Sequence, residues 1–132
     1  MVVNEEARVL WERALQAIQS ARALLSSDFD GAASRAYYSA FYAVSAVFAL
    51  RGKSFTKHSA VQSAVHRDLV NTGLWSPDLG EAFSFLFELR STADYGKAKR
   101  VSVEEAEKTV SAAHLILKAA HEINPEDLPY SG

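Results

Sequence analysis

The chain contains no cysteine, so disulfides, thiolate metal sites and a cysteine nucleophile are all excluded. Three prolines and six glycines are few interruptions for 132 residues and leave room for long helices between them. Neither sign of charge dominates. The formal net charge of −2 gives no general attraction to nucleic acid, so any such binding must come from local clustering. A long unbroken apolar run is also missing. The longest apolar region, residues 32–50, is interrupted by Ser34, Arg35, Ser39 and Ser45 and reads as a buried helix, not a membrane span. Residues 1–6 lack the basic and apolar segments of a secretory signal, so the expected location is the cytoplasm. Repeats, heptads and strand-like alternation are absent as well.

What is present is a chain of near-average globular composition, 48% hydrophobic and 23% charged, which argues against disorder. Its length suits one domain that buries roughly two-thirds of its unfolded surface. Five helices fit between the breakers. The first runs from an N-cap at Asn4 to about Leu25, and residues 26–30 turn, with Asp30 capping a second helix that ends near Arg51 and Gly52. That helix is apolar almost all round and is expected to be central. A third spans Lys57 to Asn71, closed by Gly73. Ser76 and Pro77 open a fourth, which stops at Tyr95 and Gly96. Ser102 and Glu105 form a capping box for the fifth, ended by Asn124 and Pro125. The expected fold is an all-α up-and-down bundle over residues 3–124, four long helices and a shorter one, with a mobile tail at 125–132.

If every short connection makes neighbours antiparallel, the 51–57 and 96–100 connections share one end of the bundle. That end would collect Arg51, Lys53, Lys57, Lys97, Lys99 and Arg100, six of the fourteen Lys and Arg residues, and so form a basic cluster despite the near-neutral total. Arg90, Asp94, Tyr95 and His58 would arrive at the same end.

Arg90 stands where an apolar residue belongs: Leu79, Phe83, Leu86 and Arg90 follow one helical face. A guanidinium there needs a partner or a cleft, since an unpaired buried charge is costly. Asp94, one turn on, can supply the partner in a purely structural pair. His58, at a helix start, is expected to be neutral because the macrodipole disfavours its cation; it can serve as a base or as a structural hydrogen-bonding group. Tyr95 can bind a phosphate or simply pack at the helix end. Arg35, Tyr38, Ser39, Tyr42 and Ser45 make a polar and aromatic stripe on the second helix, either core edge, dimer seam or cleft wall. His114 and His121 lie seven residues apart, about 10 Å along a helix, too far to share a metal, and no metal site or cofactor is expected.

The string Arg35-Ala36-Tyr37-Tyr38-Ser39-Ala40-Phe41, followed later by Arg90-Ser91-Thr92-Ala93-Asp94-Tyr95-Gly96, resembles the HEPN family (higher eukaryotes and prokaryotes nucleotide-binding domain). The resemblance runs from the first helix to the fifth. It implies a homodimer with the two Arg90 side chains facing across a cleft, and a minimal nucleotidyltransferase as partner in a toxin–antitoxin-like pair. It also implies nucleotide or RNA as ligand, with Arg90, Asp94, Tyr95, Lys97, Lys99, Arg100 and Lys53 as candidate phosphate contacts. Active members of the family carry histidine in an R-x4–6-H motif, and this chain has Tyr95 there. At neutral pH about one tyrosine in a thousand is ionised, a handicap of roughly 4 kcal/mol for a general base. A binding module with a degenerate nuclease motif is therefore one expectation. The alternative is a metal-independent endoribonuclease toxin using Arg90 with His58 or Tyr95.

Overall fold

Five helices make up the computed structural model: α1 (Val2–Leu24), α2 (Phe29–Leu50), α3 (His58–Ala64), α4 (Pro77–Tyr95) and α5 (Val103–Ile123). It describes residues 2–95 and 100–132, with side chains described for 5–94 and 100–132. The side chains of Asn4 and Tyr95, and all of Gly96, Lys97 and Lys99, lie outside the described residues. Among the described residues there is no strand, and no helix is long and apolar enough to cross a membrane. The all-helical expectation holds.

Local chemistry sets the helix ends. Asp28, not Asp30, caps α2: its backbone is extended (φ −147°, ψ 94°) and its carboxylate accepts the Gly31 N–H at 2.8 Å. A side chain at position 31 would collide with that carboxylate, so glycine suits the first turn. Asp30, displaced into the helix, instead accepts from Arg100 Nη1 and from the Val101 N–H, both at 2.9 Å, and ties the entry of α5 to the start of α2. The Ser102–Glu105 capping box forms as the sequence predicts, with its two bonds at 3.1 and 3.0 Å. α1 begins at Val2, ahead of the expected cap at Asn4, within the usual latitude of helix ends. α3 continues into a single π-helical turn, Val65–Val70.

The central helix is α2, as its all-round apolarity predicts. Ala32, Ala33, Ala36, Ala40, Ala43, Ala46 and Ala49 are each no more than 2% exposed, so its neighbours approach on small side chains. Ser39 is fully buried against α1, its hydroxyl donating to the Ala14 carbonyl at 2.7 Å. The bulky core, Phe48, Phe83, Leu86, Ile116 and Leu117, fills the spaces between helices.

The direction of α3 departs from the expected alternation. Phe55 packs on Phe48 and His58 on Phe41 and Tyr37, so the connection 51–57 runs back along α2 before α3 begins. α3 then climbs in the same direction as α2, since Asp68, near its end, reaches Lys53 beyond the end of α2. The physical reason is length: seven extended residues span up to about 24 Å, enough to reverse without a helix. α3 is thus an excursion, while α1, α2, α4 and α5 alternate up and down. Leu89 and Ala93 of α4 accordingly meet Ala32, Ala33, Val101 and Ala106 at the start of α2.

The tail at 125–132, expected to be mobile, is docked between α1 and α5. Leu128 is fully buried, the Trp11 indole donates to the Pro129 carbonyl at 2.8 Å, and His121 Nδ1 donates to the Leu128 carbonyl at 2.7 Å. Tyr130 sets its ring edge-on to Trp11 and its hydroxyl on His114, which Arg22 also meets. Eight residues without periodicity can still bury a leucine and lay a tyrosine ring against Trp11, and a period search cannot find them.

Candidate functional site

Phe83 and Leu86 of the α4 ladder are fully buried, and Arg90 follows on the same face with 13% of its side chain exposed. Its charge is met on three sides. Nε lies 3.0 Å from Asp94 Oδ2, Nη2 donates to the Tyr38 hydroxyl at 3.2 Å, and the guanidinium carbon sits 5.6 and 5.7 Å from the ring centres of Tyr37 and Tyr38. Carboxylate, phenol and two ring faces together offset the cost of taking the cation out of water.

The reversed connection brings His58 to the same place. Its ring stacks on Phe41 at 4.4 Å, and Nδ1 lies 2.7 Å from the Tyr37 hydroxyl. Burial first, and then the nearby Arg90 cation, hold the His58 pKa below its ordinary 6.5, with Asp94 partly opposing them. The neutral form expected from the sequence is favoured here for reasons other than the helix macrodipole. Tyr37 is wholly buried, and burial pushes its phenol far above the ordinary range, so it remains a donor. With the phenol donating to Nδ1, the neutral imidazole carries its proton on Nε2. In that tautomer His58 offers a hydrogen-bond donor, and it becomes a base only after the tautomer changes.

The structure therefore brings together Arg90, Asp94 and His58, and adds Tyr37 and Tyr38. It does not gather the expected basic end. Lys53 is at the far end of α2, 3.3 Å from Asp68, whose carboxyl Arg67 and then Lys53 hold down at about 2. Arg51 caps that same far end. Arg100 is at the Asp94 end, but its guanidinium lies on Asp30. The error lies in counting α3 as a full antiparallel leg, which inverts the placement of everything after it. The Tyr95 side chain, Lys97 and Lys99 are outside the described residues.

Tyr37 is the residue that sequence reasoning missed, since the polar and aromatic stripe on the second helix leaves it out. A signal was available: a buried tyrosine needs a partner for its hydroxyl. Which partner depends on the chain reversal, and no local pattern encodes that. The other histidines serve elsewhere, His66 on Ser84 at 3.0 Å, and His114 and His121 on the tail.

Comparison with known proteins agrees with the helical fold. The family model described as HEPN domain matches residues 7–123. The UPF0332 protein of Thermotoga maritima is 34% identical over 125 residues, covering 92% of this chain and 95% of that protein. A candidate toxin of Methanocaldococcus jannaschii is 32% identical over 115 residues, covering 86% of this chain and 78% of its own length. The crystal structure of TT1696 from Thermus thermophilus superposes with a TM-score of 0.74 at 24% identity, over 88% of this chain and 96% of that one, a likeness of fold.

Proposed function

The chain belongs to the HEPN domain family, and from that premise we propose that it is a nucleotide- or RNA-binding module whose Arg90 cluster takes a phosphate. In this reading it is a homodimer and the partner of a minimal nucleotidyltransferase in a toxin–antitoxin-like pair. The observation that carries the reading is the setting of Arg90: a mostly buried guanidinium fixed by Asp94 and Tyr38 beside a histidine held neutral. A fork of five donors can serve a carboxylate, a phenol and an added phosphate together. The similarity to a candidate toxin supports the toxin side of the pair.

The position of His58 favours a second reading, a metal-independent ribonuclease in which Arg90 stabilises phosphate charge while His58 or Tyr95 handles protons. One set of measurements separates the two. Titration with AMP should show binding that weakens with salt and is lost in Arg90→Ala, and light scattering should report a dimer. Incubation with single-stranded RNA and chelator should give little cleavage by wild type, and Tyr95→His should raise it, by up to about 10²–10⁴-fold. Strong chelator-resistant cleavage abolished by His58→Ala would establish the ribonuclease. Silence in the AMP titration, with Arg90→Ala unfolding the chain, would make Arg90 structural.

A further inference from the structure

A groove of about 320 Å³ opens between α1 and α2, lined by Arg13, Gln16 and Ser20 from one helix and Arg35 and Tyr42 from the other. No carboxylate lines it, and among the described residues neither Arg13 nor Arg35 makes an ion pair. Cations nearby on α1 are matched differently: Arg8 is held between Glu5 and Glu12. Two guanidiniums, an amide and two hydroxyls with no acid form a set of donors for an anion.

The groove adjoins the Arg90 cluster through one residue. The Arg35 guanidinium lies 5.4 Å from the centre of the Tyr38 ring, which Arg90 approaches to 5.7 Å, so the two cations share that ring and are at most roughly 11 Å apart. Tyr42, one turn further along α2, continues the aromatic line, its ring centre 6.1 Å from that of Tyr38. At the upper end of that range a single phosphate cannot touch both cations. Consecutive phosphates of one strand, advancing by about 3.4 Å or more per nucleotide, can do so within two or three steps. Aromatic rings alternating with cations along a groove are also the chemistry that holds a single strand by stacking and phosphate contact.

We propose that the groove between α1 and α2 is a second phosphate subsite, and that Arg35 and Arg13 hold the backbone of a single RNA strand that passes over Tyr38 and Tyr42 from the Arg90 cluster. The assignment rests on the reading that the Arg90 cluster takes a phosphate, and it names the ligand as an oligonucleotide in preference to a mononucleotide. Two like charges facing an open groove gain from such a ligand, since each phosphate contact releases a condensed counterion.

The test compares a short fluorescent oligoadenylate with AMP on wild type, Arg13→Gln/Arg35→Gln and Arg90→Ala. Glutamine keeps the aliphatic stem and the helix propensity, and circular dichroism checks the fold. The double variant should lose about tenfold or more in oligonucleotide affinity. Its log–log salt slope should fall by about 1.4, two contacts at about 0.7 each, while AMP binding stays at the wild-type level. Arg90→Ala should lose both ligands. Oligonucleotide binding unchanged in the double variant, with AMP still bound by wild type, overturns the subsite and leaves the Arg90 reading standing. No binding of either ligand by wild type overturns both. A double variant that changes only its oligomeric state makes the groove an interface between copies and overturns the subsite.

Discussion

Replacing Arg90 with methionine should make His58 easier to protonate. The guanidinium carbon is 5.6 Å from the Tyr37 ring centre, which is itself 5.6 Å from the centre of the His58 ring, so cation and imidazole are at most roughly 11 Å apart. At that limit two unit charges repel by about 0.4 kcal/mol in water and about 1.5 kcal/mol at an effective dielectric of 20. Removing the repulsion therefore raises the proton-binding constant of His58 by about twofold at the least and roughly tenfold in the less polar limit. Asp94, released from its ion pair, pulls in the same direction, because its charge already favours the imidazolium. Methionine keeps the stem that packs beyond Leu86, so the fold should survive. The assay is a proton NMR titration of the imidazole resonances at low salt, where screening over such a distance is weakest, with His58→Gln identifying the signal. A His58 resonance that titrates at the same or a lower pH in folded Arg90→Met would refute the electrostatic coupling.

Other expectations follow from features away from the cluster. Leu128→Ala should destabilise the fold by about 2–5 kcal/mol in urea unfolding, because that side chain is fully buried in the main core; an unchanged midpoint would mean that the tail adds nothing. Asp28→Ala should cost about 0.5–2 kcal/mol as the loss of a cap, with Asp28→Asn recovering most of it. Stability should fall as pH drops below 6.5. The pKa values of His58 and His114 are both lowered from that value by burial, with Arg90 and Arg22 adding to the effect. Between the lowered value and 6.5 the unfolded chain binds more protons, so the stabilisation is complete above 6.5 and lost on acidification. Thermal melts that do not shift between neutral and mildly acidic buffer in His58→Gln/His114→Gln, against a falling wild type, would assign the effect to these two rings.

Much of the fold was legible because it is written in local chemistry. The capping box at Ser102, the proline at the first position of α4 and the unbroken apolarity of α2 each specify structure within a few residues. Arg90 was legible for a related reason, as a charge out of place on an apolar ladder. The cluster around it was only half legible. Asp94 stands one helical turn away and is readable from spacing, whereas Tyr37 and His58 meet because the connection 51–57 doubles back, a decision made by tertiary packing of Phe55 on Phe48. The same reversal carries Arg90, Asp94 and Arg100 to the opposite end from Lys53 and Arg51. Asp30 and Asp28 show the limit at finer scale, since either could cap and the choice fell to the residue whose carboxylate Gly31 could approach.

The seven buried alanines of α2 give the chain an uneven tolerance to change. In a core built of large side chains, substitutions that shrink a residue do the damage. At these seven positions the central helix has almost no side-chain volume to lose, and the hazard runs the other way. An added methylene group at position 36, 40 or 43 has nowhere to go except into a neighbouring helix, at a typical cost of about 1–3 kcal/mol. A complete substitution scan should therefore show a column of positions that accept glycine or serine more readily than valine or leucine. Drift among related chains would then be channelled to the outer helices, with α2 kept narrow as the axle on which they turn.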